Sequence, residues 1–223
     1  MPMPTLSPSS RTSHSENRAS HWATGSEISV LPRIFDDNIN LAVMHRNLSA
    51  SLRISIQAQC QVERAWQLSW LGKPDDELRA DLVRKLPVPK AAEPLVEDIQ
   101  LLAEAMAYLF DTDTVGIRLR LLDAAMCPRF HCDNLPVRLV TTYSGPGSEW
   151  LPESAVNRAG LGAPGADKPE ILADRGAIQR LQPGDIALLK GSGWVGNEEH
   201  ALVHRSPELS SGQKRLLLTI DPA

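Results

Sequence analysis

The spacing of apolar residues changes abruptly near residue 112, and this change limits the folds that the chain can adopt. Over residues 93–110 apolar side chains recur at steps of three and four, which predicts a helix with one buried face. From Val115 to Leu121 apolar residues alternate with arginine or glycine, which predicts a strand buried on one face. Further strands are predicted over Val137–Tyr143, Asp185–Lys190, His200–His204 and Lys214–Ile220. Helices followed by a run of short strands indicate an α+β protein built on a β-barrel or sandwich.

The N-terminal part of the chain divides into a polar segment and a helical region. Residues 1–27 are rich in Ser, Pro, Thr, His and Asn, so we expect a disordered tail. Residues 28–223 are expected to form a single domain with its own core. A short amphipathic helix is predicted between Pro74 and Leu86, behind an acidic first turn. For residues 28–70 the pattern favours a short strand followed by a helix.

Charge and hydropathy argue against two classes of partner. The formal net charge is −4, so no basic excess attracts nucleic acid. No stretch approaches the roughly 20 apolar residues that are needed to cross a bilayer, and the first residues lack the apolar centre of a signal peptide. We therefore expect a cytoplasmic protein that contacts no membrane and acts on a small molecule or a peptide.

The sequence His131-Cys132-Asp133 is the sharpest chemical feature. In an extended strand, residues two apart point to the same face, so His131 and Asp133 can bind one ion together. A second histidine from a distant strand would complete the two-histidine, one-carboxylate triad of non-haem Fe(II) sites. His200 and His204 are both candidates for this ligand, and periodicity alone does not choose between them.

The three cysteines leave a second kind of metal site open. Cys60, Cys127 and Cys132 are an odd number for a disulfide framework, so free thiols are expected. Cys127 and Cys132 flank the His-x-Asp sequence, and thiolate and imidazole ligands together suit Zn(II). Cys132 alternates away from the predicted metal face, so a Cys-His zinc site would require a break in the strand.

Two further residues are candidates for binding a carboxylate near the metal. Arg215 begins the last predicted strand, and its guanidinium could bind a carboxylate bidentately. Tyr143 would share the face of His131 and Asp133 if one strand continued through both in register. Its hydroxyl could then bind the same ligand, with ordinary packing as the alternative. Arg138 is predicted to point to the opposite face and to pair with an acidic side chain.

Taken together, these residues resemble the motif of the 2-oxoglutarate/Fe(II)-dependent dioxygenases. In that superfamily a basic residue that binds 2-oxoglutarate follows the distal histidine by about ten positions. Arg215 lies 11 positions after His204 and 15 after His200, so the resemblance favours His204. One departure concerns Gly145–Trp150, where those enzymes usually carry a glycine-rich strand. The cosubstrate pocket is therefore expected to differ.

A longer resemblance, to the uncharacterised bacterial family DUF1826, covers roughly residues 28–223. It rests on CPRFHCDNLPVRLVTTYSGPGSEWLPE, PGDIALLKGSGWVGNEEHALVHRSP and RLLLTID. Together the two resemblances imply a double-stranded β-helix, a jelly-roll or cupin-like barrel, with the N-terminal helices packed on its sheet. They further imply Fe(II) and 2-oxoglutarate as cofactors of a hydroxylating dioxygenase. The alternative is a non-catalytic, cupin-like protein that binds Zn(II) in metal homeostasis.

Overall fold

The computed structural model describes residues 20–163 and 165–223. Three α-helices, α1 to α3, are named here in chain order. They span Ala50–Cys60, Asp76–Lys85 and Glu93–Leu109. Ten strands, β1 to β10, are named likewise. They span Trp22–Gly25, Leu41–Met44, Trp66–Gly72, Val115–Leu122, Val137–Ser144, Glu149–Trp150, Gln179–Arg180, Ile186–Lys190, His204–Arg205 and Arg215–Pro222.

Local sequence chemistry explains where the helices begin. The side chain of Ser49 accepts a hydrogen bond from the backbone N–H of Leu52 and caps α1. Asp75 caps α2 in the same way, through the backbone N–H of Glu77. The predicted helix therefore begins two residues after Pro74. A proline in the first turn of α3 leaves no helical hydrogen bond unmade, because the first N–H groups of a helix have no partner within it.

The strands form two sheets that face each other. The larger sheet has the order β1-β2-β8-β5-β10-β4-β3, and the smaller has the order β7-β6-β9. All neighbouring strands are antiparallel except β1 and β2. The predicted α+β class and the double-stranded β-helix are confirmed.

The two faces of the larger sheet have different neighbours. Helices α1, α2 and α3 pack on one face, over a core that includes Leu119, Leu216 and Leu218. The other face meets the smaller sheet across a second apolar cluster, which includes Trp150 and Leu217. Strand β10 contributes alternate residues to the two clusters, as the period of two requires. The side of each sheet that is turned toward the other sheet is called the inter-sheet face below.

Three local predictions differ from the structure. Strand β1 pairs with β2, so residues 20–27 belong to the domain and the predicted tail is too long; residues 1–19 lie outside the described part. Residues 28–70 form a 3₁₀ helix over Ile28–Phe35, then β2, α1 and β3, instead of one strand and one helix. Strand β9 contains only the last residue of the strand predicted over His200–His204. Among the described helices, none is long and apolar enough to cross a membrane.

Candidate metal centre and anion pocket

His131 and His204 come together through backbone pairing between distant parts of the chain. The N–H of His131 donates to the carbonyl of His204, and the reverse bond forms as well, each at 3.0 Å. Such a reciprocal pair places two side chains on the same side of the sheet. The imidazole centroids are accordingly 4.6 Å apart. His131 thus adds a fourth position to the smaller sheet, beside β9.

Asp133 completes a group of three ligands. Its Oδ1 lies 3.8 Å from Nε2 of His131, and its Oδ2 lies 3.6 Å from Nε2 of His204. One ligand atom from each of the three residues lies within 4.8 Å of the others. Two ligands at about 2.1 Å from one ion can be up to about 4.2 Å apart, so a small inward adjustment suffices to bind a metal. Asp133 itself is not in a strand, so the predicted extended conformation holds only for His131.

The backbone leaves the correct imidazole nitrogens free for a metal. Nδ1 of His131 lies 2.9 Å from the carbonyl oxygen of Arg129, and Nδ1 of His204 lies 3.3 Å from that of Leu202. When Nδ1–H donates to a carbonyl, Nε2 keeps its lone pair. Burial lowers the pKa of His204 to about 4, so this ring is neutral near pH 7 and able to bind a metal.

The alternative ligands lie elsewhere. His200 is exposed in a turn, where its backbone carbonyl accepts a hydrogen bond from Asn40, and it is not part of the ligand group. The sulfur of Cys132 points to the carbonyl of Ala201 at 3.3 Å, and burial raises the pKa of this thiol. All three cysteines are free, and within the described ranges no group of three metal-binding side chains includes one. The described residues therefore favour His204 over His200, and neither Cys127 nor Cys132 belongs to the ligand group.

Arg138 holds the aspartate ligand in place. Its Nη1 donates to Oδ2 of Asp133 at 2.8 Å, and its Nε and Nη2 donate to both carboxylate oxygens of Asp221, at 2.7 and 2.8 Å. The two carboxylates raise the pKa of Arg138. Pairing with an acidic side chain is confirmed, but the predicted orientation to the opposite face is wrong, because Arg138 contacts Asp133 itself. What the sequence did not reveal is that one of the two partners is the proposed metal ligand.

Arg215 lies on the inter-sheet face without a carboxylate partner. Only 1% of the residue is exposed. Its guanidinium donates to the hydroxyls of Thr142 at 2.9 Å and Ser148 at 2.7 Å, and these are its side-chain partners in the part of the chain described. Burial lowers its pKa to about 10. A buried cation that meets only neutral oxygens is a natural binding site for an anion.

The Gly145-Pro146-Gly147 turn positions Ser148 within hydrogen-bond distance of Arg215. A Cβ at Gly145, whose φ is +84°, would overlap the backbone carbonyl of Lys214, and a Cβ at Gly147 would overlap that of Leu181. Only glycine allows this close approach. The departure from the dioxygenase motif is therefore where the protein supplies the hydroxyl that accepts a hydrogen bond from Arg215. Ser148 also lies two residues before Trp150, the partner of His204 in the smaller sheet.

The nearby carboxylate of Glu149 is already neutralised. It is 2% exposed, and its two oxygens accept hydrogen bonds from Arg180 at 2.8 Å and Arg205 at 2.7 Å. In a strand its side chain points away from that of Ser148. Glu149 is thus an unsuitable counterion for Arg215, which remains available to a ligand.

Tyr143 does not lie beside Arg215, contrary to the prediction of a cosubstrate role. It packs in the helix-facing core, and its hydroxyl donates to Asp98 of α3 at 2.6 Å. Its neighbour Thr142 faces Arg215 on the other side of the sheet. The prediction assumed one continuous strand from His131. Instead, His131 belongs to the smaller sheet and Tyr143 to the larger one.

Solved structures with a similar fold were found by structural comparison. The dioxygenase for auxin oxidation from rice superposes with a TM-score of 0.54 at 12% identity, over 89% of this chain and 81% of that chain. The 2-oxoglutarate complex of dioxygenase for auxin oxidation 1 from Arabidopsis thaliana gives 0.54 at 10% identity, over 89% and 90%. JOX2 in complex with 2-oxoglutarate, iron and JA gives 0.50 at 8% identity, over 92% and 75%. The chain therefore has the fold of the 2-oxoglutarate/Fe(II) oxygenases.

Sequence comparison gives the family. The model of the family described as "Protein of unknown function (DUF1826)" matches residues 25–221, and the chain belongs to this family. A search of curated proteins finds no significant match.

Proposed function

We propose that this protein is an Fe(II)- and 2-oxoglutarate-dependent oxygenase. His131, Asp133 and His204 would hold the metal, and Arg215 would bind the distal carboxylate of 2-oxoglutarate. The observation that carries the proposal is the buried guanidinium of Arg215, which lacks a carboxylate partner and shares the inter-sheet face with the ligand group. A metal site alone would not require such a cation.

The residues present fit the implied groups. Two imidazoles and one carboxylate are the donors of the facial triad, which leaves further coordination positions open. The Fe(II) centre, when bound, supplies the chemistry that couples O₂ reduction and keto-acid decarboxylation to oxidation of a substrate. Arg215, with Thr142 and Ser148, matches the fork geometry that a carboxylate accepts.

The remaining side chains orient these groups and keep water away. Arg138 fixes the rotamer of Asp133, so the carboxylate is already aimed at the two imidazoles. Backbone carbonyls fix both histidine rings. The apolar side chains of Val140, Leu202 and Leu217 fill the inter-sheet space, and exclusion of water there strengthens the attraction between Arg215 and an anion.

An anaerobic titration tests the proposal. Fe(II) and 2-oxoglutarate together should give a weak visible charge-transfer band, because a keto acid that chelates the metal accepts charge from it. His131→Ala should abolish the band, and His200→Ala should leave it unchanged as the matched histidine control. Arg215→Met should retain metal binding and weaken 2-oxoglutarate binding.

The same samples distinguish the alternative function. A protein that binds Zn(II) or Fe(II) through these ligands and never binds 2-oxoglutarate would be a non-catalytic metal-binding protein. Elemental analysis of protein purified without added metal measures which ion is retained. Metal binding without a 2-oxoglutarate-dependent band would refute the oxygenase proposal and leave the metal site in place.

A further inference from the structure

The larger sheet extends beyond the smaller one at β3 and β4 and forms an open cleft there. The cleft measures about 590 Å³ and is lined by Gln67, Leu68, Ser69, Lys85, Arg118 and Arg120. Three of these six residues are basic, and none is acidic. We call this site the arginine cleft.

Strand register places the arginine cleft on the inter-sheet face. Arg215 pairs with Leu122, Leu217 with Arg120, and Thr219 with Arg118. Cross-strand partners project to the same side, so Arg118 and Arg120 share the face of Arg215. Arg120 is the diagonal neighbour of Arg215, about 7–8 Å away between Cα atoms. The cleft therefore adjoins the proposed cosubstrate pocket.

A chain of ion pairs connects the arginine cleft to the metal ligands. Arg118 donates to Asp221 at 2.8 Å. Asp221 also accepts from Arg138, which in turn donates to Asp133. The cleft and the metal site thus share one electrostatic network.

Arg120 also lines the cleft, but it forms no ion pair within the described ranges. Its one side-chain hydrogen bond within the described ranges goes to the sulfur of Met126, at 3.3 Å. Burial, together with the positive charges of Arg118 and Arg138, lowers the pKa of Arg120. An anionic ligand in the cleft would supply the counterion that Arg120 lacks within the described ranges.

A purely structural explanation fits these side chains less well. Charged residues often protect the edge strand of a sheet from unwanted pairing. However, the edge strand here is β3, and Arg118 and Arg120 lie on its inner neighbour β4. Lys85 is already paired with Asp81, whereas Arg120 is not paired with any carboxylate in the described structure.

We infer that the arginine cleft binds an anionic group of the substrate, a carboxylate or a phosphate, with Arg120 as the main contact. The inference rests on the proposed function, because it assigns the substrate class to the proposed oxygenase. The substrate would be a small organic acid or phosphate ester, anchored in the cleft while a carbon atom of the same molecule lies next to the metal. Guanidinium forks bind both kinds of anion bidentately.

Titration of the metal-free protein with inorganic pyrophosphate tests the cleft separately from catalysis. The heat of binding is measured at constant ionic strength for the wild type, Arg120→Gln and Arg33→Gln. Arg33 is a matched control, because it also carries one charge near the surface but pairs with Asp36, outside the cleft. The dissociation constant should rise at least about tenfold in Arg120→Gln, the loss expected for one charge-assisted contact, and should be unchanged in Arg33→Gln.

A third variant identifies which anion site is being measured. Arg215→Met should keep pyrophosphate binding if the anion occupies the arginine cleft. The inference is overturned if the wild type does not bind pyrophosphate, if Arg120→Gln binds it as well as the wild type, or if Arg215→Met abolishes binding. The absence of a charge-transfer band with Fe(II) and 2-oxoglutarate would instead count against the proposed function, since pyrophosphate binding needs neither.

Discussion

Replacement of Arg215 by methionine should have little effect on folding stability and a large effect on 2-oxoglutarate binding. In the folded protein, burial lowers the pKa of this guanidinium to about 10. A pKa shift of one unit corresponds to about 1.4 kcal/mol. Burial of the charged guanidinium therefore destabilises the folded state by about 3 kcal/mol. The cost is fully present at pH 7, because the group is charged at any pH well below 10. It would decrease only as the pH rises above 10.

Two contributions nearly cancel in Arg215→Met. The variant removes the burial cost of about 3 kcal/mol. It also loses the bonds to Thr142 and Ser148, each worth about 1.5 kcal/mol when the donor is charged. We therefore expect the free energy of unfolding at pH 7 to stay within about 2 kcal/mol of the wild type. Urea denaturation of the metal-free protein measures this difference.

Arg46→Met is the matched control. Arg46 is also largely buried, but it donates to both oxygens of Asp98, at 2.5 and 2.9 Å. Its removal would leave that carboxylate without its cation and should cost about 3–5 kcal/mol. A loss of similar size in Arg215→Met would mean that Arg215 already has a carboxylate partner, and our reasoning would be refuted.

The same variant is then compared in the presence of ligand. With Mn(II) in place of Fe(II), 2-oxoglutarate at 100 times its Kd should stabilise the wild type by about 2.7 kcal/mol. Arg215→Met should lose this stabilisation at the same concentration. An equal rise in Tm in the two proteins would show that Arg215 does not bind the cosubstrate.

Three further variants address the residues around the site. The pKa of His204 is lowered to about 4 in the folded state, so the unfolded state binds a proton at a higher pH than the folded state does. The free energy of unfolding of the metal-free protein should therefore fall by up to about 3 kcal/mol between pH 6.5 and pH 4. Urea denaturation at several pH values measures this loss, which His204→Gln should remove. Tyr143→Phe removes the bond to Asp98 and should cost about 1–2 kcal/mol of stability, with an unchanged Kd for 2-oxoglutarate by calorimetry. Arg138→Gln should weaken metal binding by about 10–100-fold in a competition assay with a chelator, because Asp133 loses its positioning partner; an unchanged affinity would make Arg138 structural only.

The elements that could be predicted from the sequence are those with long local repeats. Helix α3 ends one residue before the predicted boundary, and β4 ends one residue after it. In both cases the pattern extends over several turns or alternations, so one face must be buried wherever the element packs. The preference for His204 over His200 came from the resemblance to the dioxygenase motif, and the structure places His204, not His200, beside His131 and Asp133.

The smaller sheet could not be predicted in the same way. Its strands β6, β7 and β9 contain two residues each, too few to show a period. The pairing of His131 with His204 joins segments that are far apart in sequence, and no local pattern records it. The role predicted for Tyr143 was wrong for a related reason. His131 pairs with the smaller sheet and Tyr143 lies in β5 of the larger sheet, so no common strand register relates the two side chains.

Strand β10 carries two charged side chains, and their surroundings differ. Its helix-facing side is apolar, with Leu216, Leu218 and Ile220 in the core. Its inter-sheet side has a charge near each end, Arg215 and Asp221. Asp221 is neutralised by two arginines, so the protein itself explains that charge.

Within the described chain, no carboxylate pairs with Arg215, and none pairs with Arg120 on the adjacent strand. A buried or half-buried cation without a counterion weakens the fold, and selection for stability alone would favour an apolar side chain there. Both cations lie on the inter-sheet face, and the ion pairs of Asp221 connect Arg118, the neighbour of Arg120, to the proposed metal ligand Asp133. The unpaired charges are therefore the basis for the two anion sites that we propose, one beside Thr142 and Ser148 and one in the arginine cleft.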